Sequence, residues 1–296
     1  MIYYIAAFLC PMFNSLSCII DSHLSNKVFK KPATLIFYSN ITTFFFALPL
    51  IFIFGKPSVP DSSALVAIAI VAFINVFYLF PWYIVLKKID TSISVAMFAI
   101  GKIMLPVFAW IIVGEKLHFV QYLGFGIILL PSIFLNLDIK KMKINIAFWL
   151  MLFISVILSL SSVLNKYSVV NTDFVSVLFW VLLISASMSL TLLLVPPARR
   201  DIVCGFGKYK KKIRLFLAND VLMCLVGLAN LLAMSSLPVL LVKSISSTQS
   251  IFTLITGFIL WKFFNNKSNE DFSRGKVIKK LVSFVFIIIG IYLVMR

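Results

Sequence analysis

What most limits the possible folds of this chain is a repeated apolar run. Ten stretches of about 20 mainly apolar residues follow one another with short breaks. Each is long enough to cross a hydrocarbon core as a helix rising about 1.5 Å per residue. They run roughly over Ile2–Asn26, Pro32–Phe54, Ser62–Leu86, Thr91–Gly114, Phe119–Leu137, Asn145–Tyr167, Phe174–Val195, Arg214–Ser236, Val239–Phe263 and Lys279–Met295. The eighth and ninth are split only at "SSLP", Ser235–Pro238. Composition leads to the same place: 61% of the 296 residues are hydrophobic and 12% charged, with mean hydropathy +1.07. A soluble domain has too little interior to hide that much apolar surface, and a bilayer removes the need. The first run reads as a span and not as a cleaved leader, since no basic segment precedes it.

The net charge of +17 could suggest a nucleic-acid partner. Its distribution argues otherwise, because the basic residues sit in short clusters between apolar runs. Lys27, Lys30 and Lys31, then Lys87 and Lys88, then Lys140, Lys141 and Lys143, then the stretches Arg199–Arg214 and Lys262–Lys280 fall on alternate connections. The opposite side holds only Lys56, Lys116, Lys166 and Arg296. Basic loops stay in the cytoplasm, so both termini are expected outside a cytoplasmic (inner or plasma) membrane. Cys10, Cys18 and Cys224 fall in apolar runs and Cys204 in a basic one, spaced for neither disulfides nor zinc. His23 and His118 form no metal constellation, and no cofactor is expected.

The chain also repeats weakly. "LKKIDTSISVAMFAIGKIMLPVFAW", from Leu86, overlays "MSSLPVLLVKSISSTQSIFTLITGF", from Met234, pairing Asp90 with Pro238, Lys102 with Ser250 and Ala109 with Gly257. The pair Asn26–Lys27 recurs as Asn165–Lys166. These matches divide the chain into a five-helix repeat over 1–138, a basic cytoplasmic linker over 139–144 and a second five-helix repeat over 145–296. Five is odd, so the halves have opposite orientation. The expected fold is thus all-α integral membrane, ten transmembrane helices as two inverted five-helix repeats, an architecture that places a binding site at the midplane between halves.

The stretch "YIVLKKIDTSISVAMFAIGKIMLPVFAWIIVGEKLHFVQYLGFGIILL" resembles the drug/metabolite transporter superfamily, in its ten-helix EamA-type branch. The resemblance lies in a helix ending in Gly114–Glu115, a short amphipathic step, and a helix containing Gly124 and Gly126. "SISSTQSIFTLITGFILWKFF" looks like the matching part of the second half. Three positions depart from the pattern: Lys262–Phe263 where the family usually has Gly-Glu, Asn40 near where many members carry Arg, and Lys102 where many have Pro. The resemblance implies a pathway lined by helices one to four and six to nine, with five and ten at the periphery.

Polar periodicity can be read independently. Residues three, four and seven apart share a helix face. The first helix carries Asn14, Ser17, Cys18 and Asp21; the third Asn75, Tyr78 and Trp82; the sixth Ser155, Ser159, Ser162 and Lys166; the eighth Asp220, Gly227 and Asn230; the ninth Lys243, Ser246, Ser247 and Ser250. Helices five and ten carry almost none. Small hydroxylated residues also glue membrane helices together, which is the simpler account of any single Ser.

Lys102 is the sharpest feature. It lies about 16 Å from either end of its span, too far for a lysine stem to reach an interface. Charged in lipid it would cost at least about 2.5–3.5 kcal/mol, so it must face the protein interior or a wet cavity. Either it engages an acidic group of a substrate, or it pairs with Asp21 to hold helices one and four together. The candidate binding set is Lys102, Asn14, Asn75, Tyr78, Trp82, Asn230 and Ser250, with Asp21 as a coupling carboxylate. Tyr78 and Trp82 could stack on an aromatic or quaternary-amine group. Glu115 reads as fixing a helix end, Lys243 as an interfacial anchor, and Asp220 as a partner of nearby basic residues.

The function expected from these residues is secondary transport of a small polar metabolite, an amino acid or related zwitterion or amine, by alternating access with exchange or proton coupling. The partners are that small molecule and the lipid bilayer, with no nucleic acid, and the chain is read as a monomer. The alternatives are a lipid-linked sugar or amine flippase of the same superfamily, an intramembrane enzyme, and a receptor. The enzyme reading is disfavoured by the scatter of 10 acids and 2 His, and the receptor reading by loops under about 20 residues. No G-x-x-x-x-G-K phosphate loop is present, so ATP hydrolysis is not expected.

Overall fold

The computed structural model describes residues 1–29, 31–85, 101–116, 118–136, 146–249, 251–253, 255–256, 285–286 and 288–294. These form helices and connections, with no strand among the described residues. The helices are α1 (Ile2–His23), α2 (Pro32–Phe54), α3 (Ser62–Phe77), α4 (Leu79–Val85), α5 (Leu105–Val113), α6 (Phe119–Asn136), α7 (Ile146–Asn171), α8 (Phe174–Leu190), α9 (Pro196–Ser236) and α10 (Val239–Ser246). Among the described residues, six helical segments are long and apolar enough to cross a membrane: Ile2–His23, Pro32–Phe54, Ser62–Val85, Trp149–Asn171, Phe174–Leu194 and Pro196–Ser236. The chain is an integral membrane protein. The fourth, fifth, ninth and tenth apolar runs extend beyond the described residues, as do most of the repeat at Leu86, the linker 139–144 and Ser250. The count of ten and the inversion of the halves therefore rest on the sequence.

Helix interruptions follow local chemistry. Pro81 lacks the amide that would reach back to Phe77, and the helix breaks at Tyr78 between α3 and α4. Pro238 caps α10, so the "SSLP" boundary separates α9 from α10 as expected. α1 ends in a π-helical turn, Leu24–Val28, where the Phe29 amide donates to the Leu24 carbonyl five residues back.

One connection differs from expectation. The basic stretch Arg199–Arg214 is not a loop; it is helical and continuous with the eighth span in the 41-residue α9. Pro196 and Pro197 are suited to a helix start, Lys and Arg are good helix formers, and no proline follows before Pro238. At about 60 Å, α9 is twice the thickness of a hydrocarbon core, so its basic half lies outside the core. Gly205 is the point of closest approach, since a Cβ there would fall 2.5 Å from Thr34 Cγ2. The Tyr38 hydroxyl donates to the Ile202 carbonyl at 3.0 Å, and the rings of Tyr38 and Tyr209 stack at 4.2 Å.

The packing suits lipid. Phe45, Phe52, Phe73, Trp110 and Tyr292 point outward and exposed, while Ser15, Ser17, Ser155, Asn219 and Asp220 are buried. That is the reverse of a soluble bundle. α9 packs on α1 and α2, α3 on α7 and α8, and α5 on α7. Gly124 of α6 meets Gly290, where an added Cβ would fall 2.8 Å from the Gly290 carbonyl oxygen, so the two backbones touch. The loop between α2 and α3 is tied to the start of α8: the Ser58 amide donates to Ser176 Oγ at 2.7 Å and Trp180 Nε1 to the Ser58 carbonyl at 2.9 Å. Asp173 caps α8, accepting from the Ser176 amide at 2.8 Å and from the Ser58 hydroxyl at 3.2 Å. Burial pushes its carboxyl up, but the Ser176 and Ser58 hydrogen bonds outweigh that and hold it below the usual carboxylate range.

Candidate functional site

A cavity of about 370 Å³ runs between the helices. Its wall takes residues from α1, α2, α3, α4, α5, α7, α8, α9 and α10, and none from α6 or from 285–294 among the described residues. Asn14, Asp21, Asn75, Tyr78, Trp82, Lys102 and Asn230 all line it, so seven of the eight sequence-derived candidates come together; Ser250 lies outside the described residues.

Lys102 opens a single 3-10 turn, Lys102–Met104, that leads into α5. It is seated by its neighbour. A Cβ on Gly101 would fall 2.1 Å from the Ser155 carbonyl carbon, so only glycine lets this segment lie directly on the α7 backbone. The ammonium donates to Ser247 Oγ at 3.0 Å and to the Lys243 carbonyl at 3.4 Å. The pair with Asp21 that the sequence allowed is not formed. Asp21 instead accepts from Asn219 Nδ2 at 3.0 Å, and Asn219 in turn accepts from Ser17 Oγ at 2.7 Å. The reason is depth: Asp21 sits toward the basic end of α1, and α9 brings Asn219 beside it.

Two further assignments change. Lys243 does not reach an interface; it lines the cavity and donates to Asn230 Oδ1 at 3.2 Å. Val239–Val242 before it are buried against the start of α1 and against α5 and the end of α9, so apolar side chains fill that end of the bundle. Asp220 does not meet the basic residues of α9. It is fully buried and accepts from Thr43 Oγ1 at 2.9 Å, while its other oxygen has no hydrogen-bond partner among the described residues.

Glu115 does fix a helix end, though that of a different helix. Beyond the left-handed Gly114 that ends α5, it accepts from the Val239 amide at 3.0 Å, at the start of α10. Lys166 lies 3.9 Å from the Glu115 carboxylate and donates to the carbonyls of Met234 at 2.7 Å and Leu237 at 3.1 Å. This cluster ties α5 and α7 across the break between α9 and α10. Ala6, Leu105, Ala109 and Leu241 belong to the apolar cluster that joins α1, α5 and α10.

The serines of α7 bond within their own helix, Ser155 to Leu152, Ser159 to Ser155 and Ser162 to Leu158, so they shape the wall more than they offer donors to it. Sequence reasoning missed Asn219 and Gln249. Asn219, Met223, Val226 and Asn230 recur at four, three and four residues, and all line the cavity; that period was the available signal. Gln249 accepts from Asn14 Nδ2 at 3.1 Å and lies three residues beyond Ser246, on the same face.

Comparison with solved structures gives a match over 97% of this chain and 95% of the other, described as "Crystal structure of protein", with TM-score 0.63 and 13% identity. That likeness shows the fold alone. Comparison with the curated proteins gives no match. Residues 1–137 match the model of the EamA-like transporter family. That match over the first 137 residues agrees with the resemblance to the drug/metabolite transporter superfamily, and a transporter of small molecules embedded in the bilayer is what the matched family implies.

Proposed function

We propose that the chain is a secondary transporter that moves a small polar metabolite, an amino acid or related zwitterion or amine, by alternating access with exchange or proton coupling. The observation that carries this reading is one cavity whose wall collects Asn14, Asn75, Tyr78, Trp82, Lys102 and Asn230, with Asp21 toward its basic end. Its volume falls at the small end of ligand pockets, about 300–1,000 Å³, which favours a metabolite over a lipid-linked sugar. Lys102 meets an acidic group of the cargo, and Asp21, within electrostatic range of Asp220, takes the coupling role. The Glu115–Lys166 cluster holds one end shut, as alternating access requires of a resting state. The termini lie at that end, outside the cell, and the basic helix faces the cytoplasm.

The test is uptake by the purified chain in proteoliposomes, wild type against Lys102→Met, with folding followed by size exclusion. A folded variant with unchanged uptake overturns the role of Lys102. A wild type that moves no amino acid, amine, nucleoside, sugar, phosphate or dicarboxylate overturns transport.

A further inference from the structure

We infer that the cavity contains an anion subsite built from two lysines, Lys102 and Lys243, that recognises a doubly charged head: a phosphate monoester or a pair of carboxylates. This inference rests on the transport reading and narrows its cargo to acidic metabolites, a phosphate monoester, a dicarboxylate or an acidic amino acid, in place of a simple zwitterion or amine.

The two ammonium groups share one wall and lie within electrostatic range of each other. An ammonium has three donors. Lys102 places hydrogen bonds on Ser247 Oγ and the Lys243 carbonyl, and Lys243 on Asn230 Oδ1, all neutral acceptors. Neither lysine is in an ion pair among the described residues, where the pairs are Lys31 with Asp201 and Lys166 with Glu115. Of the chain's 10 acids, those outside the described residues are Asp90, Asp138, Glu270 and Asp271, and all four fall between apolar runs of the sequence. Two like charges side by side inside the bundle, both partly buried, repel, and each costs desolvation energy that neutral acceptors only partly offset. A ligand with two negative charges is the natural complement, and among the described residues donors of both ammoniums are left over to meet its oxygens.

The rest of the cavity agrees. Both lysines lie within electrostatic range of Cys10 on the cavity wall, while Asp21 lies eleven residues further along α1, about 16 Å from Cys10 by helical rise. An α-amino acid carries its ammonium and carboxylate on one carbon and cannot touch both poles. At the lysine pole, a simple zwitterion would bring its own ammonium against two others. A second carboxylate, or a phosphate, removes that conflict.

Thermal shift and titration calorimetry on the purified full chain test this, with succinate, glycerol 3-phosphate and inorganic phosphate as probes against acetate, glycine and choline. At least one dianion is expected to raise the melting temperature and to bind ten-fold or more tightly than acetate or glycine. Lys243→Met is expected to weaken that dianion ten-fold or more, and Lys243→Arg to keep most of the affinity. Should Lys243→Met fail to fold, Lys243→Gln serves, since its amide can still donate to Asn230. Glycine or choline binding as tightly as every dianion overturns the inference, as does a folded Lys243→Gln or Lys243→Met that binds dianions like wild type. Either result leaves transport itself standing, which fails only when the liposomes move nothing.

Discussion

Two lysine sites lie inside this bundle, and they are built differently. Lys166 is matched by protein groups: Glu115 stands 3.9 Å away and the Met234 and Leu237 carbonyls accept its hydrogen bonds. Lys102 and Lys243 share a wall with only neutral partners among the described residues and face an open volume. A buried charge whose partners are all protein groups holds elements together. A buried charge that leaves donors facing a cavity is arranged for something that arrives later.

The comparison breaks most readily at the first site. Lys166→Met leaves Glu115 uncompensated and two carbonyls without their donor, and should cost about 3–5 kcal/mol. Detergent-solubilised protein should show a large fall in melting temperature and a loss of monodispersity. If Lys166→Met is as stable as wild type yet transports nothing, the roles of the two sites are exchanged. Next is Gly101→Ala, whose Cβ would overlap the Ser155 backbone. The expected cost is about 1–3 kcal/mol, with impaired uptake because the Lys102 seat is displaced. Uptake kept at wild-type level in a destabilised Gly101→Ala would show that Lys102 needs no such seat.

Lys102→Met should reverse the pattern of Lys166→Met. Uptake falls about 10- to 100-fold, the worth of a charged hydrogen bond, while the melting temperature holds or rises because a partly buried charge is gone. The smallest effect is remote from both. Asp173→Ala removes the cap of α8 and should cost about 1 kcal/mol without changing affinity for cargo. Because the folded carboxyl titrates below its unfolded value, this contribution is complete above about pH 4 and disappears as pH falls through the lowered value. The melting temperatures of wild type and Asp173→Ala should therefore converge at low pH.

Much of the site was legible along the chain because helix periodicity is local. Asn14 and Asp21, or Asn75, Tyr78 and Trp82, share a face whatever packs against them, and that face became cavity wall. The absence of such a stripe on the fifth helix agreed with the cavity wall, which among the described residues takes nothing from α6. Asn219 escaped notice because the charged Asp220 beside it drew attention to a different face. From the sequence Lys243 reads as an interfacial anchor because it lies about one turn inside the apolar run that begins at Val239. The structure buries that turn against α1, α5 and α9 instead.

The division has a physical basis. Apolar run length, proline breaks and the spacing of polar side chains depend on neighbours within a few residues, so the sequence by itself determined that the chain lives in a membrane and which helix faces avoid lipid. Which ion meets which counter-ion depends on contacts between residues far apart in the chain, Glu115 with Lys166 and Asn219 with Asp21. Only tertiary packing could assign Lys166 a carboxylate and leave Lys102 and Lys243 facing an open volume, because in a bilayer the cost of a charge is set by what the other helices place beside it.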